Sequence, residues 1–268
     1  MSRRRSWGRR HASLIKEIFF LRYREGVTVL PFHYEDLEGM AKKLRIKLPE
    51  ILGDAINASR RNVELPEAIR KTQSLGKEWV IEGRGKFQYA FRLVASSQIS
   101  PNPLLVETKV PNATPVMVSV YGFSDEQALL AKVRYNRLLD MFLSVDAHSL
   151  QSHLRTTVAR RGQVEIDEIY IATNKRGCQY ILPIQAKSSC GRLSTVQTRD
   201  DIAFCMENFP SLICRSIFAQ FMAEDLIAMF ELTQDDGEVR VVDEKHYRLV
   251  PSDQISPSDL KSYGKNAL

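Results

Sequence analysis

Val164-Glu165-Ile166-Asp167-Glu168-Ile169-Tyr170-Ile171 is followed by Asn174-Lys175-Arg176-Gly177 and then by Tyr180-Ile181-Leu182-Pro183-Ile184-Gln185-Ala186-Lys187. Dense β-branched and aromatic residues on either side of a turn predict a β-hairpin. Its first strand carries three acids in four positions, Glu165 to Glu168. Apolar flanks on both faces predict a central strand, where a bare carboxylate is costly unless a cation balances it. Side chains alternate along a strand, so Gln185 and Lys187 share one face, Glu165 and Asp167 share one, and Glu168 points the other way. Paired strands can therefore gather Asp167, Gln185 and Lys187 around one point. A hard divalent ion such as magnesium (Mg2+) takes oxygen ligands. Asp167 offers a carboxylate oxygen, Gln185 an amide oxygen and Ala186 a main-chain carbonyl, while Lys187 is suited to orienting water or stabilising charge on a reacting phosphate. The plainer alternative is a solvated edge strand whose acids pair with Lys175, Arg176 and Lys187.

Outward from the hairpin, Asp146 is expected to start a helix ending near Gly162. His148 and His153, five apart on it, would then face different ways and share no metal. Ahead of it, Ser124 with Gln127 forms a capping box for a helix whose buried face is Leu129, Leu130, Val133, Leu138, Met141 and Phe142. The signals after Gly162 then alternate between strands and helix, which indicates a mixed α/β domain over residues 116–268. Pro101, Pro103, Pro111 and Pro115 mark residues 96–115 as a linker containing one short strand.

Residues 1–95 read as a smaller unit. Helical spacing is expected from His11 to Arg24, and again from Tyr34 to Leu44. Pro49 suits the first position of a third helix reaching Ala58. Residues 79–82 and 87–91 flank Gly83-Arg84-Gly85-Lys86, a hairpin with a basic tip. Helices followed by such a hairpin resemble a winged helix. That arrangement would present Asn57, Arg60 and Arg61 to a DNA groove and send Arg84 and Lys86 to the backbone. A helical unit serving only protein contacts would carry a similar pattern.

The net charge is +6, and Arg3, Arg4, Arg5, Arg9 and Arg10 hold five positive charges, so the rest of the chain is close to neutral. A basic arm ahead of a balanced body suits phosphate binding through counterion release. No apolar run is long enough for a membrane span. The arginines at the start lack the apolar segment of an export signal, so a cytoplasmic protein with no membrane partner is expected. Cys178, Cys190, Cys205 and Cys214 have neither zinc-site spacing nor disulfide-scaffold density. Gly191-Arg192 after Ser188 and Ser189 suits a plain turn better than a phosphate-binding loop.

Asp167, then Gln185-Ala186-Lys187 eighteen positions on across a hairpin, resembles the PD-(D/E)xK nuclease superfamily. It is similar in particular to Mrr-type restriction endonucleases, where glutamine replaces the second acid. The phrases Asp125-Glu126-Gln127-Ala128-Leu129-Leu130, Arg134-Tyr135-Asn136-Arg137-Leu138 and Ser149-Leu150-Gln151-Ser152-His153-Leu154-Arg155-Thr156 resemble a bacterial endonuclease-like family. So do Pro183-Ile184-Gln185-Ala186-Lys187, Leu48-Pro49 and Gly76-Lys77-Glu78-Trp79. The resemblance implies a restriction-endonuclease-like mixed sheet flanked by helices, and magnesium-dependent hydrolysis of phosphodiesters in double-stranded DNA. A type II-like restriction or defence enzyme is the implied role, and a homodimer follows as an expectation from the symmetry of double-strand cutting. The pattern departs from the superfamily in two ways: Ile166 stands before Asp167 where proline is usual, and Gln185 is neutral. Glu165 or Glu168, or Glu126 or Asp140 on the preceding helix, is then implied to complete the charge, and Gln197 sits like an auxiliary polar residue. Two other functions fit the same residues, a non-catalytic DNA-binding regulator on a nuclease fold and a nuclease of DNA repair or recombination; a third, a nuclease acting on RNA, has no aromatic stacking motif to support it.

Overall fold

The computed structural model describes residues 9–46, 65–95, 99–121, 125–159, 161–189 and 194–265. Among the described residues, four apolar clusters form around two sheets, one in the smaller unit and three in the larger. The smaller unit contains α1 (Arg9–Arg22), β1 (Val29–His33), α2 (Tyr34–Leu44), the short α3 (Glu67–Arg70), β2 (Lys77–Gly85) and β3 (Gln88–Ala95). Its three antiparallel strands lie in the order β1-β3-β2. Both expected helices are present, and α2 has the expected limits. The start of α2 is fixed by Asp36, which accepts the main-chain N–H of His33 at 2.7 Å. Leu14, Ile15, Ile18 and Phe19 of α1 bury against Leu37 and Ala41 of α2 and Trp79, Ile81 and Phe91 of the hairpin. The hairpin turns at Lys86-Phe87, with Phe87 at φ 60° and the Lys86 ammonium 5.5 Å from its ring centre. Strand β1 is not legible in the sequence because its five residues include Pro31, which an edge strand tolerates. The expected third helix, with Asn57, Arg60 and Arg61, lies outside the described residues, as do Arg3, Arg4, Arg5 and Ser124; Arg9 and Arg10 open α1.

The larger unit is a mixed α/β layer structure. Its strands run β4 (Glu107–Pro111), β5 (Asp146–Val158), β6 (Gly162–Thr173), β7 (Gln179–Lys187), β8 (Ile213–Cys214), β9 (Ser216–Ala223), β10 (Leu226–Asp235) and β11 (Glu238–Val250). They form one eight-stranded sheet in the order β4-β11-β10-β9-β7-β6-β5, with β8 set beside β7. Neighbours are antiparallel except β4 with β11, and β7 with β8 and β9. The helices are α4 (Val116–Tyr121), α5 (Asp125–Tyr135), α6 (Leu138–Leu143), α7 (Thr195–Asn208) and α8 (Pro257–Lys265). Leu129, Leu130 and Val133 of α5 and Leu138, Leu139 and Phe142 of α6 cover one side of the sheet. Phe204 and Cys205 of α7 pack with Ile169 and Ile181 in a separate cluster.

Three sequence expectations change here. Residues 146–158 form a strand, not a helix. Ala147, Leu150, Leu154 and Val158 fall at helical spacing, but pairing with β6 decides the conformation, a tertiary preference overriding a local one. The helix expected after Ser124 is broken at Arg137, whose φ of 50° is left-handed, and Met141 is exposed rather than buried. The short strand within 96–115 belongs to the large sheet: β4 pairs with β11, and the Tyr263 hydroxyl of α8 accepts the Lys109 N–H at 3.0 Å. Among the described residues no helix is long and apolar enough to cross a membrane.

Candidate active site

The β6–β7 ladder runs from Thr173↔Gln179 to Glu168↔Ile184 and stops there. β7 continues, held on its other side by β9 through Ile184↔Ile217 to Lys187↔Gln220. At the break, Asp167 takes over the role of the lost strand partner: its Oδ2 accepts the N–H of Ala186 at 2.9 Å. A carboxylate in place of a carbonyl satisfies the orphaned amide and leaves the fork between the strands acidic. Glu165 and Lys187 are close enough for their charges to act on Asp167, one with and one against its own sign. So Asp167, Gln185, Lys187 and Glu165 do gather at one place.

Burial pushes the Asp167 carboxyl above its usual range; the Lys187 charge and the Ala186 N–H oppose this, and Glu165 adds to it. Gln185 is buried. Its Nε2 donates to the Glu165 carbonyl at 3.1 Å and to Asp201 Oδ2 at 3.0 Å, and its Oε1 accepts from Gln197 Nε2 at 3.4 Å. Gln197 and Asp201 lie one turn apart on α7, which starts where the Ser194 side chain accepts the Gln197 N–H. Asp201 is fully buried and its carboxyl is held well above the usual range, first by burial and then by the charges of Asp200 and Asp167, against the hydrogen bond from Gln185.

Sequence reasoning misses Asp201. The sequence signal is faint, a run from Thr195 to Asp201 that is polar apart from Val196; that Thr195, Thr198, Arg199, Asp200 and Asp201 are buried is shown only by the structure. Glu168 is corrected as a site candidate. It points to the opposite side, where Arg134 and the Tyr170 hydroxyl (2.8 Å) bind it. Asp140 is likewise engaged elsewhere, accepting Arg137 at 2.7 Å and the Ala147 N–H at 3.1 Å. Glu126 lies on α5, and no described contact joins it to the fork. Gly191 and Arg192 lie outside the described residues.

Among the described residues no three His, Cys, Asp or Glu side chains form a metal-binding group. Amide or main-chain oxygens would have to complete a cation site. One such donor is the Gln197 Oε1 amide oxygen, which is buried without a hydrogen-bond partner, as is the Asp201 Oδ1 carboxyl oxygen one turn along α7. Two carboxyls with raised pKa beside orphaned oxygens fit a hard cation, which would satisfy all of them together. The chain matches no protein-family model, no curated protein and no solved structure.

Proposed function

We propose that the chain is a magnesium-dependent endonuclease acting on double-stranded DNA. The observation that carries the proposal is the meeting of Asp167, Gln185 and Lys187 where β6 and β7 diverge. The order α5, β5, β6, β7, α7, β9, with β7 and β9 parallel, also suits the restriction-like core that the sequence resembles. For the smaller unit, the order β1-β3-β2 with helices on either side of β1 supports a winged-helix reading.

Asp167 would hold the ion through its carboxylate, with Gln185, the Ala186 carbonyl and the unpartnered oxygens of Gln197 and Asp201 as further donors. When bound, magnesium neutralises the scissile phosphate and acidifies a water. Lys187, half-exposed at the end of β7, sits where an ammonium can hold a phosphate oxygen or orient the attacking water. Glu165 supplies the negative charge that Gln185 lacks. The restriction or defence role, the homodimer and the cytoplasmic location rest on the sequence reading alone.

A second reading has one observation in its favour. The Gln185 amide is engaged at both ends, as in a packed residue with no ligand to hold. That suits a non-catalytic DNA-binding regulator. Incubation with plasmid DNA and with modified and unmodified phage DNA, in magnesium and in chelator, separates the two. Lys187→Ala and Asp167→Ala are each expected to abolish cleavage and leave DNA binding largely intact. Full activity in either variant would remove the assigned site.

A further inference from the structure

On the side of α7 away from Gln197 and Asp201, the two units meet in a concentration of arginines. Glu82 of β2 is buried, and Arg199 of α7 donates to it at 2.8 Å. Arg84 Nε and Arg92 Nη1 each lie 4.0 Å from the same carboxylate. Next to Arg199, Asp200 lies 3.9 Å from Arg161 Nη1. Arg92 and Arg161 are near enough to repel Arg199. The backbone brings these groups together: a Cβ on Gly162, the first residue of β6, would meet the Gly85 carbonyl at 3.8 Å, and one on Gly237, in the β10–β11 turn, would meet the Arg92 guanidinium at 2.8 Å.

Three guanidiniums, those of Arg84, Arg92 and Arg199, share the single carboxylate of Glu82, so this part of the junction is left positive. The imbalance reaches inside, because Arg199 is only 3% exposed and its Nε and Nη1 have no hydrogen-bond partner. A single Glu–Arg pair would close a domain contact; extra buried donors without acceptors only add desolvation cost. The guanidinium fork matches the oxygens of a phosphate. Side-chain exposure falls from Arg84 at 50% through Arg92 at 29% and Arg161 at 21% to Arg199, grading from solvent to interior.

We propose that this junction is a binding site for a backbone phosphate of duplex DNA, with Arg92 and Arg161 as its principal contacts and Arg84 at its mouth. The proposal rests on the reading of the chain as a DNA-acting protein. A helix with its side chains is about 10 Å across. A phosphate held here is thus separated from the Asp167 fork by the thickness of α7. The site would fix the duplex against both units at once, without reading its bases.

The test is equilibrium binding of the full chain to a short labelled duplex in chelator, over a range of salt concentrations. Arg92→Gln and Arg161→Gln are compared with wild type and with Arg176→Gln, an exposed arginine in the β6–β7 turn at the far end of the strands. Both junction substitutions fall at half-buried positions and should melt near wild type. Each is expected to weaken binding about tenfold and to flatten the slope of log affinity against log salt by about 0.9, with Arg176→Gln changing neither. Wild-type slopes in both variants, or no duplex binding by wild type, would overturn the proposal. Binding with the expected slope changes but no magnesium-dependent cleavage would uphold the junction and remove the nuclease reading instead.

Discussion

Replacing Gln185 by glutamate separates a metal ligand from a packing residue. Gln185 gives two hydrogen bonds from Nε2, to the Glu165 carbonyl and to Asp201 Oδ2. Glutamate has no donor for the Glu165 carbonyl, and an acceptor left without its partner in a buried site costs about 1–3 kcal/mol. In chelator the Gln185→Glu protein should therefore lose about 2 kcal/mol or more, which for a chain of this size lowers Tm by at least about 4 °C. Magnesium should narrow the gap. A cation at a hundred times its Kd contributes about 2.7 kcal/mol to either protein, and each tenfold tightening by the new carboxylate adds about 1.4 kcal/mol. The rise in Tm on adding magnesium should then be larger in the variant, and half-maximal cleavage should come at lower magnesium. Thermal melts in chelator and in a magnesium series, beside a cleavage titration, measure both. An unchanged Tm in chelator would contradict the hydrogen bonding described. Equal magnesium shifts, with lost cleavage that no magnesium concentration repairs, would mean that Gln185 is not a ligand.

Asp201→Asn keeps an acceptor for Gln185 and removes a buried acid. The folded Asp201 pKa lies above its unfolded value, so the native state holds the extra proton and stability falls as pH rises from the unfolded pKa through the folded one. The wild type should lose Tm over that window while Asp201→Asn stays flatter and melts higher above it; parallel curves would remove the argument. Glu82→Gln leaves Arg199 buried without its anion and should cost about 3–5 kcal/mol in a denaturant titration. Glu82→Leu with Arg199→Met should recover much of that loss, and a double variant no better than the single one would contradict the pair's isolation from water.

The hairpin is legible from the chain alone because its information is local. Alternation along residues 164–171 and 180–187, with a turn between them, sets which side chains can meet whatever else the protein does. The helical stripes of α1 and α2 and the basic hairpin tip are readable for the same reason. Residues 146–158 mislead because a stripe of Ala147, Leu150, Leu154 and Val158 satisfies a helix as well, and only the unpaired edge of β6 settles the choice. The set of groups at the fork was decided by tertiary structure. Asp167 meets Ala186 only because the β6–β7 pairing ends at Glu168, and Asp201 meets Gln185 only because α7 returns across the sheet between β7 and β9. Glu82 and Arg199 stand 117 residues apart and meet only where the two units pack. Short-range periodicity is written in neighbouring residues, whereas a buried charge takes its partner from whichever distant segment the packing brings within hydrogen-bonding distance.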